Sequence, residues 1–256
     1  MILRRVIAHF RKQEWTAIFL DFVIVVAGVF VGMQVTNWNA AIAENRREAQ
    51  IVEDMLADLA IDRRQYMSGM AFDERRVGAA NASMQGASLP PIEFDWDRVS
   101  TDTIDYSFAI KDASFYPAEK IDRLWTDLVL GFHPEPSTAT YDAMIGAGDI
   151  KILKDRQIVR EIQRYHTLAE TVKSQNEKLI ALRGDVLLVG AHSGLAPYLR
   201  TPPDDYFKRV AGEPELAASI RMLATFAIFH HGQIKAADDR AAILEAKLKA
   251  YREALE

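Results

Sequence analysis

The chain has 256 residues, no cysteine and a formal net charge of −5 at pH 7. This length allows one membrane anchor followed by one sizeable domain. Because phosphate binding needs clustered positive charge, the acidic balance excludes nucleic acid as the expected partner. The absence of cysteine excludes disulfides and thiolate metal sites.

Residues 1–14 form a basic segment before the first long apolar run, with Glu14 as their one acidic side chain. Their apolar side chains fall on one helical face, which predicts a short amphipathic helix on the inner membrane leaflet. An ordinary basic flank, which would only set topology, explains the same pattern. The basic residues predicted at this membrane interface are Arg4, Arg5, Arg11 and Lys12.

Residues 15–38 are mostly aliphatic and carry Trp15 and Trp38 at their two ends. Twenty apolar residues in a helix cover roughly 30 Å, the thickness of bilayer hydrocarbon. Tryptophan favours the headgroup layers, so both rings are expected at the membrane interfaces. We therefore predict one transmembrane helix in contact with the lipid bilayer.

Orientation follows from the charges on the two flanks of this helix. Four Lys and Arg residues precede it, whereas Arg46 and Arg47 follow among acidic residues. The positive-inside rule then predicts a cytoplasmic N-terminus and a periplasmic domain, residues 39–256, on a bacterial inner membrane. A cleaved signal peptide is the alternative, since Ala41-Ile42-Ala43 resembles a cleavage site, but the apolar run is too long for a signal core.

One face of the predicted span combines Gly28, Gly32 and Asp21. Glycines four residues apart let a second helix approach closely, and Asp21 projects within about 20° of Gly28. A carboxylate in lipid is costly, so Asp21 should face protein, water or a cation. These residues predict a helix-contact face, although Asp21 also lies close enough to Trp15 to reach headgroup water.

Beyond Trp38 the first long helix is expected to continue outward, with a seam of Trp38, Ile42, Ala49, Val52, Leu56, Leu59, Tyr66 and Met70. It should fray between Gly78 and Gly86. The region from Leu89 to Pro136 gives a poor signal, compatible with short strands or loop, apart from a short helix over residues 118–130.

A short helix over Tyr141 to Ile145 should stop at Gly146-Ala147-Gly148. Asp155 is the expected N-cap of a second long helix that reaches about Val189. Residues 190–212 are then read as an irregular connection, because they contain several Gly and Pro residues.

The last helix, from Pro214 to Leu255, has the clearest pattern in the chain. Apolar residues follow an unbroken alternation of four and three positions, which is typical of a coiled-coil-like seam. Whether this seam closes within one chain or between chains cannot be read from the pattern. Its members are Leu216, Ile220, Leu223, Ala227, His230, Ile234, Ala237, Ala241, Leu244, Leu248, Tyr251 and Leu255.

Residues that could carry chemistry do not form a catalytic set. His230 and His231 invite a metal site, but no metal-ligand spacing joins them to His133, His166 or His192. One histidine on a heptad seam is more typical of a hydrogen-bonded residue that sets register. Ser193 has no identifiable base, and Asp149 would repel a phosphate from the glycines before it, so we predict no catalytic, cofactor or metal site.

Two stretches resemble a family of uncharacterised bacterial single-pass membrane proteins. The first is the span with its exit, DFVIVVAGVFVGMQVTNWNAAIAENRREAQIVEDMLADL, and the second is TYDAMIGAGDIKILKDRQIVREIQRYH. The resemblance implies a membrane helix followed by a helical extracytoplasmic domain, and it brings no established activity. The residues that carry it are Asp21, Gln34, Asn37, Trp38, Asn39, Tyr141, Gly148, Asp149 and Ile150.

These features together predict an all-α protein, in which one transmembrane helix continues into an elongated extracytoplasmic bundle of coiled-coil-like helices. The first functional hypothesis is a non-enzymatic structural or accessory subunit, which forms a homo-oligomer or joins a larger membrane complex. The second is a sensor or ligand-binding module that acts through a partner, with a pocket lined by Trp96, Trp125 or Tyr141. An enzyme is the third, and it would need a cleft of converging His and carboxylates that the sequence does not reveal.

Overall fold

The computed structural model describes residues 15–92, 98–100, 105–107 and 116–255. These residues form helices, joined by turns and accompanied by one short pair of strands. The predicted helical class is therefore confirmed for the described part of the chain. The predicted roles of five residues concern positions outside the described ranges: Arg4, Arg5, Arg11, Lys12 and Trp96.

The helices are long at both ends of the chain and short in the middle. Strands β1, Arg98–Ser100, and β2, Asp105–Ser107, pair antiparallel. Two 3-10 helices cover Ala118–Arg123 and Asp149–Lys151. The α-helices are α1 Trp15–Gly86, α2 Leu124–Val129, α3 Ala139–Ala147, α4 Arg156–His192, α5 Pro203–Gly212 and α6 Pro214–Leu255.

The chain divides into two compact units between Gln50 and Ile51. In the N-terminal unit the side chains of residues 19–41 are exposed in the single chain. Among the described residues, α1 is the one helix long and apolar enough to cross a membrane. The Thr36 hydroxyl donates to the Gly32 carbonyl oxygen at 3.0 Å, so this polar group is satisfied inside its own helix, as an apolar environment requires.

The second unit is a bundle of α1, α4 and α6 that holds two apolar clusters. The first cluster includes Leu59, Ile162 and Leu244, and the second includes Met84, Leu179 and Leu223. Along α1 and α4 the residue numbers rise from the first cluster to the second, whereas along α6 they fall. Helices α1 and α4 therefore run in the same direction, and α6 runs against them.

Two local predictions are confirmed by the helix ends. The Asp155 carboxylate accepts a hydrogen bond from the Gln157 backbone N–H at 2.6 Å, which caps the start of α4. Helix α3 ends at Gly148, which adopts a left-handed φ of 75°. Glycine enters this region without a steric penalty, so it can end the helix while its N–H bonds to the Ile145 carbonyl.

Two boundary predictions are wrong. Residues 203–212 form helix α5 rather than an irregular connection. Pro203 occupies its first turn with Asp204 and Asp205, and all three favour a helix start. Helix α1 also stays intact through Gly78 and ends only at Gly86, where a Cβ atom would lie 2.2 Å from the Phe207 ring.

The predicted seam of α1 is confirmed at Val52, Leu59 and Tyr66, which are fully buried, and is wrong at other positions. Leu56 and Met70 are only partly buried, and the fully buried positions alternate through Leu59, Asp62 and Tyr66. The same spacing of three and four residues continues beyond Gly69 to polar side chains further along the helix. The polar members of the seam were missed because a pattern of apolar residues treats buried Asp and Arg as surface positions. The buried seam comprises Val52, Met55, Leu59, Asp62, Tyr66, Gly69, Asp73, Arg76, Ala80 and Ser83.

Candidate functional site

Between the two apolar clusters the three long helices meet through buried polar side chains. Helix α1 contributes Asp73 and Arg76, α4 contributes Asn176 and α6 contributes His230. Their exposed fractions are 0%, 1%, 5% and 2%, so water does not solvate them. We call these four residues the polar layer. Such groups are costly to bury unless each finds a partner, and here they partner one another.

The Asp73 carboxylate joins two cationic side chains from different helices. Its Oδ1 accepts from Arg76 Nη1 at 2.7 Å, and its Oδ2 accepts from His230 Nδ1 at 2.6 Å. Both distances are short, as expected of hydrogen bonds between charged groups. Burial lowers the pKa of Arg76, whereas Asp73 acts in the opposite direction. The carboxylate therefore holds α1 and α6 together at this level.

The hydrogen bonds fix the protonation of His230. Asn176 Nδ2 donates to the carbonyl oxygen of Pro134 at 2.6 Å, which leaves Asn176 Oδ1 facing His230 Nε2 at 2.7 Å. An amide oxygen only accepts, so His230 Nε2 must carry a proton. Its Nδ1 donates to the ionised Asp73. Both ring nitrogens of His230 are therefore hydrogen-bonded, and neither is left buried without a partner.

Arg76 extends the polar layer to the backbone at the C-terminal end of α2. Its Nε donates to the Leu128 carbonyl at 2.9 Å, and its Nη2 donates to the Leu130 carbonyl at 3.0 Å. Gly131 permits this approach, because a Cβ atom there would lie 2.2 Å from Arg76 Nη2. The guanidinium thus satisfies carbonyls that have no helical partner at the end of α2.

The connection between α2 and α3, residues 130–138, has no regular secondary structure and is held by side chains of α1 and α4. Gln65 Oε1 accepts from the Glu135 N–H at 2.8 Å, and Asp62 Oδ1 accepts from the Ser137 N–H at 2.7 Å. Asn176 contributes the bond to Pro134 described above. Side chains therefore supply the hydrogen bonds that this backbone would otherwise form within a helix or a sheet.

Asp62 also ends a chain of hydroxyl groups inside the first apolar cluster. Tyr165 Oη donates to Asp62 Oδ2 at 2.5 Å, and Tyr66 Oη lies 3.1 Å from Tyr165 Oη. Since Tyr165 uses its proton on Asp62, Tyr66 is the donor to Tyr165. Burial raises the pKa of Asp62, and it also raises the pKa of both tyrosines.

The other histidines named by the sequence analysis lie apart from one another. The His133 ring approaches that of His230, with centroids 6.2 Å apart, and His231 Nε2 bonds Glu74 at 3.2 Å. The His166 ring stacks on Tyr141, and His192 is exposed at the end of α4. Among the described residues no group of three or more His, Cys, Asp or Glu could hold a metal ion.

The residues of the predicted helix-contact face are not covered by any other described residue in the single chain. A Cβ atom added to Gly28 or Gly32 would meet nothing within 4 Å. Asp21 is exposed, and Trp38 is 68% exposed. Trp15 is the first described residue of α1.

The predicted seam of α6 faces the interior of the second unit. Tyr251 and Leu255, at its end, are partly exposed. The other ten members are buried and lie in the two clusters or between them. These ten are Leu216, Ile220, Leu223, Ala227, His230, Ile234, Ala237, Ala241, Leu244 and Leu248.

The remaining candidates of the sequence analysis, Ser193, Trp125 and Tyr141, pack or form hydrogen bonds within the fold. Ser193 donates to the Val189 carbonyl at the end of α4 and contacts Glu213. Trp125 is 2% exposed and lies against Gly190, where a Cβ atom would be 1.9 Å from its ring. Tyr141 borders the first cluster and Trp125 belongs to the second, so the two rings do not share a pocket.

Comparison with known protein families, with curated proteins and with solved structures finds no match to this chain. The resemblance to an uncharacterised membrane family therefore stays a prediction. The fold and the polar layer have to be interpreted on their own geometry.

Sequence reasoning found His230 but missed its partners. Asp73 and Asn176 occupy positions at which the apolar pattern of α1 or α4 is interrupted by a polar residue. The sequence signal for these residues was therefore a polar side chain at an otherwise apolar position in each helix. Only the alignment of the helices shows that Asp73, Asn176 and His230 meet.

Proposed function

We propose that this protein is a non-enzymatic, membrane-anchored structural or accessory subunit. It assembles with copies of itself or with a larger membrane complex through its transmembrane helix and long helices. The observation that carries this proposal is the open face at Gly28 and Gly32. Bare backbone at this spacing is the surface on which a second membrane helix packs.

Asp21 adds a polar group to the same face. Inside a bilayer its carboxylate would be stabilised by a donor or a cation on the partner helix. We place residues 1–14 in the cytoplasm and residues 39–256 in the periplasm of a bacterial inner membrane, on the charge asymmetry of the flanks. In this proposal the coiled-coil-like seam of α6 serves chiefly to build the periplasmic bundle.

A second candidate function is a sensor that acts through a partner. The supporting observation is that α1 is one uninterrupted helix from Trp15 to Gly86, so it contains both the span and Asp73. A helix of this kind can relay a small axial shift.

The mass of the full chain, extracted in mild detergent, tests the first proposal. Light scattering combined with native mass spectrometry would measure the number of copies and any co-purifying protein. We expect a dimer or larger assembly, or a stable complex with another membrane protein. A monomer without a partner, at protein concentrations found in the membrane, would contradict the proposal.

A further inference from the structure

Three exposed arginines lie next to one another at the start of α4. They are Arg156, Arg160 and Arg164, which follow at intervals of four residues. Side chains at this spacing are neighbours on the surface of a helix. Their positive charges therefore repel one another along α4. We call these three residues the arginine stripe.

The first two arginines of the stripe have no acidic side chain to balance them. Among the described residues neither Arg156 nor Arg160 has an ion-pair partner. Neither has an acidic residue three or four positions away in the sequence. By contrast, two lysines of α6 pair with a carboxylate four residues away: Lys235 with Asp239 at 2.8 Å and Lys249 with Glu245 at 2.5 Å.

Arg164 has a carboxylate partner, but other cations share it. Glu161 Oε1 accepts from Arg164 Nη1 at 3.2 Å and from Lys247 Nζ of α6 at 2.9 Å. Its Oε2 accepts from Arg240 Nη1 at 3.1 Å. One negative charge therefore serves three cations. Because Lys247 is also exposed, the positive surface extends from α4 onto α6.

This arrangement opposes the stability of α4. Like charges four residues apart destabilise a helix. Arg156 also occupies the first position of α4, where the helix dipole disfavours a cation. Since the three arginines are exposed, packing of the apolar clusters does not require them. Residues that weaken a fold locally are expected where they serve binding.

The other exposed residues of this part of α4 indicate which anionic partner fits. Between Asp155 and Glu170 they are Gln157, Gln163 and Thr167, and none of them is apolar. A helix that lies on a membrane inserts apolar side chains among the lipids. Guanidinium groups form paired hydrogen bonds with carboxylates. These features favour the carboxylates of a protein over lipid headgroups.

We propose that the arginine stripe, together with Lys247, binds an acidic segment of a partner protein. The segment lies along α4 and offers carboxylates about 6 Å apart, the rise of four helical residues. It supplies the counter-charge that Arg156 and Arg160 lack. This proposal goes beyond assembly through the membrane helix, since all of its residues lie in the second unit.

Fluorescence anisotropy of labelled peptides would test this surface on the full chain, held in an uncharged mild detergent. The probe is an oligoglutamate peptide, and a glycine-serine peptide of the same length is the control. We expect saturable binding of the oligoglutamate peptide alone. Its affinity should fall as the salt concentration rises, because salt screens exposed charges. Peptide binding is read separately from the oligomer mass, so either proposal can fail without the other.

Matched variants make the test specific to the stripe. Replacing all three arginines by Gln should weaken binding at least about tenfold, and Arg160→Gln alone should weaken it severalfold. Far-UV circular dichroism shows whether each variant keeps its helices, and the single variant is used if the triple one does not. The control removes the same charge elsewhere and should keep the wild-type affinity. It combines changes to Gln at three exposed cations, Arg123, Arg200 and Lys208.

Two results would overturn the proposal. One is the absence of saturable binding of the oligoglutamate peptide, including the case in which labelled phosphatidylglycerol in the micelles binds through the stripe instead. The other is an equal loss of affinity in the stripe variant and in the control, because binding would then depend only on the net charge.

Discussion

Asp73 on α1 and His230 on α6 are joined by a 2.6 Å hydrogen bond, although 157 positions separate them in the chain. This contact lies between two apolar clusters and involves charged groups on both sides. It fixes the register of two antiparallel helices, because a shift of either helix would leave a charge buried without its partner.

Replacing Asp73 by Asn tests this role. The change would leave the buried Arg76 guanidinium without its counter-charge, so we expect a loss of about 3 to 5 kcal/mol in unfolding free energy. Urea unfolding of the full chain in detergent, followed by circular dichroism, measures the loss. Asp239→Asn is the control, since Asp239 forms an exposed pair with Lys235 at 2.8 Å and should cost less than about 0.5 kcal/mol. Equal stability of the two variants would contradict a structural role for the polar layer.

The lowered pKa of His133 predicts that the folded protein loses stability in acid. Its pKa falls from 6.5 to about 4 in the folded protein, mainly because burial disfavours the charged ring. Between these two values the unfolded chain binds more protons, so stability is complete above pH 6.5 and decreases as the pH falls toward 4.

The expected loss attributable to His133 is about 1 to 2 kcal/mol, after allowance for its partial exposure to solvent. Unfolding free energies at several pH values, compared between the wild type and His133→Gln, would measure this contribution. The variant should lose less stability in acid. A pH dependence identical to that of the wild type would assign the acid sensitivity to other groups.

Substitutions of Asp62 should separate hydrogen bonding from charge. Asp62→Asn can keep the bond from Ser137 and donate to Tyr165, whose hydroxyl then reverses and donates to Tyr66. We expect this variant to cost about 1 kcal/mol, because every polar atom keeps a partner and only the Tyr66 proton loses its acceptor. Asp62→Ala leaves the Ser137 N–H and the Tyr165 hydroxyl proton without their acceptor and should cost about 2 to 4 kcal/mol. Similar midpoints in thermal unfolding for both variants would contradict the hydroxyl chain.

Two glycines of α4 form a matched pair. A Cβ atom at Gly190 would lie 1.9 Å from the Trp125 ring, whereas one at Gly184 would meet nothing within 4 Å. Gly190→Ala should therefore destabilise the protein by about 1 to 3 kcal/mol through overpacking. Gly184→Ala should stabilise it by about 0.5 to 1 kcal/mol, because alanine favours the helix. Thermal unfolding of the two variants should show shifts of opposite sign, and shifts of the same sign would contradict the packing described for Trp125.

The sequence predicted those parts of the fold that depend on local signals. Asp155 and Gly148 mark helix ends because a capping carboxylate and a left-handed glycine act within a few residues. The seam of α6 was readable because its members are apolar apart from His230. Periodicity suffices where burial and hydrophobicity coincide.

The polar positions of the α1 seam and most of the polar layer could not be predicted in this way. Asp62, Asp73 and Arg76 are buried only because partners from distant segments satisfy them. Residues 130–138 gave a weak secondary-structure signal in the sequence. Their backbone groups form hydrogen bonds with side chains rather than with the backbone of a helix or strand. These are tertiary interactions, which no local pattern contains.

The mass of a detergent-extracted variant with Gly28→Ile and Gly32→Ile tests the central claim most directly. Isoleucine is at least as apolar as glycine, so membrane insertion should persist, while its side chain blocks close approach of a second helix. The control carries Val23→Ile and Val26→Ile, which lie on the opposite face of the helix. We predict that the glycine variant dissociates to a smaller species, or loses its partner, while the control keeps the wild-type mass. An unchanged mass in the glycine variant would contradict assembly through this face of the span.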